Sequence, residues 1–121
     1  MSDSIIKVFF GMTLNIKLYH WTTKSYSRHK ASDQLASDIL PLIDQFIEMY
    51  AGRYKRPEGK LMNIAVKKMS DKEIVSLIGT YISFLQKDLP KQLKATDTDL
   101  LTVRDSMLSS LNQALYLFTL S

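Results

Sequence analysis

Apolar residues recur at three- and four-residue spacings in four blocks separated by polar stretches, which is the period of amphipathic helices. Ile5, Ile6, Val8, Phe9, Met12, Ile16 and Tyr19 predict a first helix over 4–22, with Asp3 or Ser4 as its cap. After the polar run Lys24-Ser25-Tyr26-Ser27, the stripe Leu35, Ile39, Leu42, Phe46 and Met49 predicts a second helix over 28–54. Pro41 stands inside it, and an interior proline removes one backbone bond and kinks a helix. The stripe resumes in phase beyond Pro41, so a single bent helix is expected. Gly52, Pro57 and Gly59 punctuate its end, and 61–66 is expected to form a short helical turn in the connection that follows. Ser70 with Glu73 has the form of a capping box, opening a third helix over 70–89 on Ile74, Leu77, Ile78, Tyr81, Phe84 and Leu85. Asp97 or Thr98 caps a fourth over 98–120, with Leu100, Leu101, Met107, Leu108, Leu111, Leu115 and Phe118 inside. Two short links and a longer second-to-third connection predict an all-α, antiparallel four-helix bundle, one domain over 1–121.

Composition narrows the chemistry. The chain has 121 residues, 45% of them hydrophobic and 23% charged, enough to bury one core and too apolar for a disordered segment. It has no cysteine, which removes disulfides, thiolate metal sites and cysteine nucleophiles and leaves imidazole and oxygen ligands. No apolar stretch reaches the roughly 18 residues of a membrane span, and Met1-Ser2-Asp3-Ser4 lacks the basic start of a signal peptide. A soluble, intracellular protein is expected, with no membrane partner.

Charge is uneven. The net charge is +4, yet Arg53, Lys55, Arg56, Lys60, Lys67 and Lys68 against Glu58 give +5 within 53–68, so the remainder sums to −1. These six residues form a candidate polyanion contact, because phosphate binding needs clustered Lys and Arg. A solvated loop is the plainer reading. A helical nucleic-acid-binding or assembly-associated structural protein built on this segment is the alternative function.

The polar face of the second helix carries the sharper pattern. His29 precedes Asp33 by four residues, so both project from one face about a turn apart, and Asp44 and Glu48 repeat that spacing. Eleven residues from Asp33 to Asp44 are close to three turns, so all four share a stripe, but they advance about 16 Å, too far to hold one ion within one straight helix. Packed antiparallel against a copy of itself about a two-fold axis near Asp38 and Ile39, the helix would bring His29 and Asp33 to Asp44 and Glu48 of the second chain, giving two identical sites. His20, at the end of the first helix, returns beside the start of the second. Two imidazoles and three carboxylates suit iron(II), with manganese or zinc also accommodated. Taken singly, these are ordinary groups: His20 beside Trp21 closing a helix end, an exposed His29–Asp33 pair, and solvated carboxylates. The six Met residues lie on apolar faces as core filling.

Tyr19-His20-Trp21, then His29-x-x-x-Asp33 and, eleven residues on, Asp44-x-x-x-Glu48, resembles the Dps-like mini-ferritins, in a shortened form. The resemblance implies a ferritin-like bundle forming a homodimer through the second helix, and a larger cage. It implies a ferroxidase site, protective against oxidative stress, with His20, His29 and Asp33 from one subunit and Asp44 and Glu48 from its partner. Trp21 resembles the tryptophan beside the iron in that family. The segment 19–26 also looks like that of short proteins of large viruses, which makes cytoplasmic or virion-associated localisation the expectation. Neither histidine follows a Glu by three residues, which excludes the Glu-x-x-His site of ordinary ferritins.

Overall fold

The computed structural model describes residues 2–121, and among them there is no strand. Four long helices form: α1 (Ser2–Thr22), α2 (Tyr26–Arg53), α3 (Asp71–Ser83) and α4 (Thr98–Phe118). The four expected helices are present, with differences at their ends. The α1 helix already includes Asp3, whose carboxylate accepts the backbone N–H groups of Glu58 (2.9 Å) and Lys60 (3.2 Å). Ser25 caps α2 by accepting the Arg28 N–H, so this helix opens two residues earlier than its apolar stripe suggests. Pro41 lies inside α2 without ending it.

Ser70 and Glu73 make the expected capping box, each side chain bonded to the other's backbone N–H. Past Ser83 the α3 helix widens into a π turn, Phe84–Asp88, and then tightens into a 3₁₀ turn, Leu89–Gln92, whose opening accommodates Pro90. The expected cap at Asp97 is corrected: Asp97 holds the cap position of α4, but its side chain makes no cap bond. Its 2% exposed carboxylate is taken by the Arg53 guanidinium (2.8 Å), the Tyr54 hydroxyl and the Lys94 N–H (2.8 Å).

Contacts at the helix ends set the directions. The three-residue link between α1 and α2 makes them an antiparallel hairpin. At the start of α2, Arg28 donates to the Phe118 carbonyl at the end of α4 (3.3 Å), while Arg53 at its other end reaches Asp97 and Asp99 at the start of α4. Tyr19, near the end of α1, donates to Asp71 at the start of α3 (2.6 Å). Consecutive helices therefore oppose one another except α2 and α3, which share a direction. The connection between those two must run the length of the molecule.

The expected helical turn at 61–66 is absent: residues 55–70 have no regular structure and form a strap along α1. Asp3 holds one end. Further along, buried Asn15 donates to the Ala65 carbonyl (3.0 Å) and accepts the Lys67 N–H (3.3 Å), drawing the strap's backbone into bonds a local helix would otherwise have made. Gly11 lies under Ile64, whose methyl would sit 3.8 Å from any β-carbon there.

The core runs along the inner faces of all four helices, through Phe9, Ile16, Ile39, Phe46, Ile78, Leu85, Met107 and Leu111. Phe9 packs edge-on to Phe46 at 5.7 Å and to Phe84 at 6.3 Å, tying α1 to α2 and to the π turn, a geometry that aromatic pairs prefer.

Asp97 makes the α2–α4 closure sensitive to acid. The Tyr54 hydroxyl, the Lys94 N–H and the Arg53 guanidinium hold its carboxyl below the usual carboxylate range. A lowered folded pKa contributes stability above about pH 4 and loses it as pH falls further. Urea midpoints followed from pH 7 to pH 2 should show Asp97→Asn less stable than the parent at pH 7, with the gap closing in acid; a constant gap would show that the charge of Asp97 contributes nothing.

Candidate functional site

His20 lies in the last turn of α1, His29 lies in the first turn of α2, and the link between the helices is short enough to stack one ring on the other. The centroids are 4.0 Å apart and the planes 18° from parallel. Each ring also bonds to the other residue's backbone: His20 Nδ1 lies 2.8 Å from the His29 carbonyl, and His29 Nδ1 lies 2.9 Å from the His20 carbonyl. A carbonyl oxygen only accepts, so each Nδ1 carries the hydrogen and each neutral ring keeps its lone pair on Nε2. This is the arrangement in which metal-binding histidines are held.

The pair rests on buried polar groups. Ser32, fully buried, donates to the Arg28 carbonyl (2.7 Å) and lies 3.4 Å from His20 Nδ1. Beneath it, Arg28 donates to the Tyr19 hydroxyl (3.1 Å) and packs over the Phe118 ring, 4.8 Å from its centroid. Burial and the bond to Asp71 push the Tyr19 phenol above its usual range. Neither Ser32 nor Arg28 is marked as a support by residue type or spacing; the one available hint is a serine three residues after His29, on the same side of the helix.

His20 Nε2 lies 3.7 Å from Asp33 Oδ1. Two ligands of one ion, each about 2 Å from it, stand up to about 4 Å apart, so this separation suits a shared metal. Among the described residues of a single chain, no three His, Asp or Glu side chains converge tightly enough to hold an ion. Asp44 and Glu48 are exposed and lie further down α2, and unbroken helix across Pro41 keeps them on the stripe of Asp33.

That stripe borders exposed apolar surface. Phe10 (49% exposed) and Leu14 (46%) on α1 and Leu40 (55%) on α2 are open to solvent, and Phe10, Leu40 and Asp44 share the wall of a hollow of about 210 Å³ with Ile6, Ile43 and Ile47. Trp21 is 68% exposed, with the Lys17 ammonium 5.7 Å from its ring centroid; His20 stacks on His29 and not on Trp21.

The basic segment is less free than its composition suggests. Arg53 pairs with Asp97 and Asp99, Lys55 and Lys60 with Glu58, and Lys67 with Glu73. Among the described residues, Arg56 and Lys68 are left without an ion pair.

This hairpin carries a locked histidine pair at its turn and an acidic, partly apolar outer face, and the described residues around it are helical or irregular, with no strand. Residues 20–118 match the family of unknown function DUF5856, and the chain belongs to that family. An uncharacterized 14.6 kDa protein from the mobD-ri intergenic region of Enterobacteria phage T4 is 30% identical over 97 residues, covering 76% of each chain. No solved structure matches. Among the described residues, no helix is long and apolar enough to cross a membrane.

The lock is open to direct measurement. In nitrogen-15 spectra taken at alkaline pH, where both rings are neutral, His20 and His29 should each show a protonated Nδ1 and a bare Nε2. A protonated Nε2 on either ring would break the reciprocal arrangement.

Proposed function

We propose that the protein is an iron(II)-binding and iron(II)-oxidising homo-oligomer of the Dps-like mini-ferritin type, a ferritin-like four-helix bundle with its metal sites between two-fold-related chains. The reciprocal His20–His29 lock carries this reading. It holds two imidazoles with bare Nε2 atoms, that of His20 3.7 Å from Asp33, and donors of these types suit iron(II), manganese or zinc. An antiparallel copy of α2 would add its Asp44 and Glu48 to His20, His29 and Asp33, and would cover Phe10, Leu14 and Leu40.

Iron is the substrate here. Each iron(II) gives up one electron, to peroxide or to oxygen; hydrogen peroxide takes two, with two protons, and leaves as two waters. Holding the metal while peroxide is consumed keeps that reaction from releasing radicals, which is the sense in which such a protein protects. The donor atoms position the substrate and the carboxylates neutralise its charge.

The alternative reading, contact with nucleic acid or a larger assembly through 53–68, has less support, since four of the six basic side chains there face carboxylates of the same chain.

The shared site is tested by complementation. Asp33 is 54% exposed and outside the core, so Asp33→Ala and Asp44→Ala should each fold and each fail to oxidise iron(II). After subunit exchange, a mixed dimer has one site lacking both carboxylates and one with all five ligands. Mixing should therefore restore up to about half a site per chain in the heterodimers; no recovery of iron oxidation would rule out a site drawn from two chains.

A further inference from the structure

Lys17 sits on α1, three residues before His20 and four before Trp21, so it shares their side of the helix. Its ammonium lies 3.8 Å from Asp33 Oδ1, the same oxygen that is 3.7 Å from His20 Nε2, and 5.7 Å from the Trp21 ring centroid. The side chain is 38% exposed and so is free to swing into solvent. Thus the one carboxylate oxygen placed to serve an ion with His20 already faces a cation of the chain's own.

We propose that Lys17 is an internal counter-ion that occupies Asp33 in the metal-free protein and is displaced when a metal ion binds. This rests on the metal-site reading above. A divalent ion about 2 Å from Asp33 Oδ1 would stand within a few ångströms of the ammonium, where like charges repel. That repulsion expels Lys17, whose contacts with Asp33 and the Trp21 face are then lost. This loss lowers the affinity. In return the empty site does not present Asp33 as a bare carboxylate, so Lys17 sets a threshold metal concentration below which the site remains closed.

The pair is partly exposed, so the effect is modest. The test uses the full chain with zinc(II), which binds the same donors without redox chemistry, titrated calorimetrically at neutral pH. Lys17→Gln should bind zinc about twofold to fivefold more tightly than the parent, the range an exposed ion pair supports. Lys17→Arg, which keeps the charge, should stay near the parent, and Asp33→Ala should bind weakly. Trp21, the single tryptophan of the chain, gives a second readout. Zinc should move the emission of the parent toward that of metal-free Lys17→Gln, because in both the cation has left the ring, and should change Lys17→Gln less. Parent protein that binds zinc while Lys17→Gln binds no tighter would overturn the role of Lys17 and leave the site standing. Parent protein that binds no zinc would overturn the site, and the counter-ion with it.

Discussion

The three residues between α1 and α2 are the constraint on which the rest of the molecule turns. With so short a link, the last turn of one helix must lie against the first turn of the next, and the polar groups at that junction must find partners locally. His20 and His29 meet this need by exchanging ring-to-backbone hydrogen bonds while their rings stack at 4.0 Å. The same contacts that close the hairpin leave Nε2 of both rings uncommitted. Structure and candidate chemistry are thus fixed by one junction, which is why the remaining features of the site are found on the outer face of α1 and α2.

A second constraint follows from direction. Because α2 and α3 run the same way, the chain must return over the whole bundle, and residues 55–70 do so without any ladder or helix of their own. An irregular segment of this kind needs anchors, which Asp3 and Asn15 supply by taking its backbone groups. Burying one amide to satisfy a carbonyl and an N–H of the strap is favourable because each bond contributes of order 1 kcal/mol while an unmet buried group costs more. The basic residues of the strap and its flanks are largely neutralised by neighbouring carboxylates, so charge in this region serves the fold first.

How much of this was legible depended on the range of the interaction. Periodicity located all four helices, and the capping box at Ser70 and Glu73 is present as read, because these signals lie within a few residues of one another. The continuity of α2 through Pro41 was legible for the same reason: the apolar phase on either side agrees. Other departures have long-range causes. Asp3 and Asp97 have the composition of caps but are captured by groups more than forty residues away in the chain, at Glu58 and Lys60 and at Arg53 and Tyr54. The strap at 61–66 has residues compatible with a helical turn, and Asn15 outcompetes it. For the candidate site, the spacing placed His29, Asp33, Asp44 and Glu48 on one stripe and brought His20 beside His29. It could not reveal the reciprocal bonds or the burial of Ser32, since neither leaves a periodic trace.

The same logic explains why the acidic stripe is left outside the core. A site completed within one chain would need four or five polar ligands turned inward, each desolvated and each requiring a partner when the metal is absent. At the hairpin turn this chain buries His20 and Ser32, whose polar atoms find partners there, and leaves Asp33, Asp44 and Glu48 exposed, where a carboxylate stays hydrated at little cost. Lys17 beside Asp33 extends the principle: where a ligand oxygen approaches the half-buried histidines, the chain provides a cation of its own. On the proposed reading, folding does not wait on metal, and the ligands would be gathered at the face where Phe10, Leu14 and Leu40 are exposed. Association there would desolvate apolar side chains and carboxylates in one step, so the favourable burial of the first offsets the cost of gathering the second.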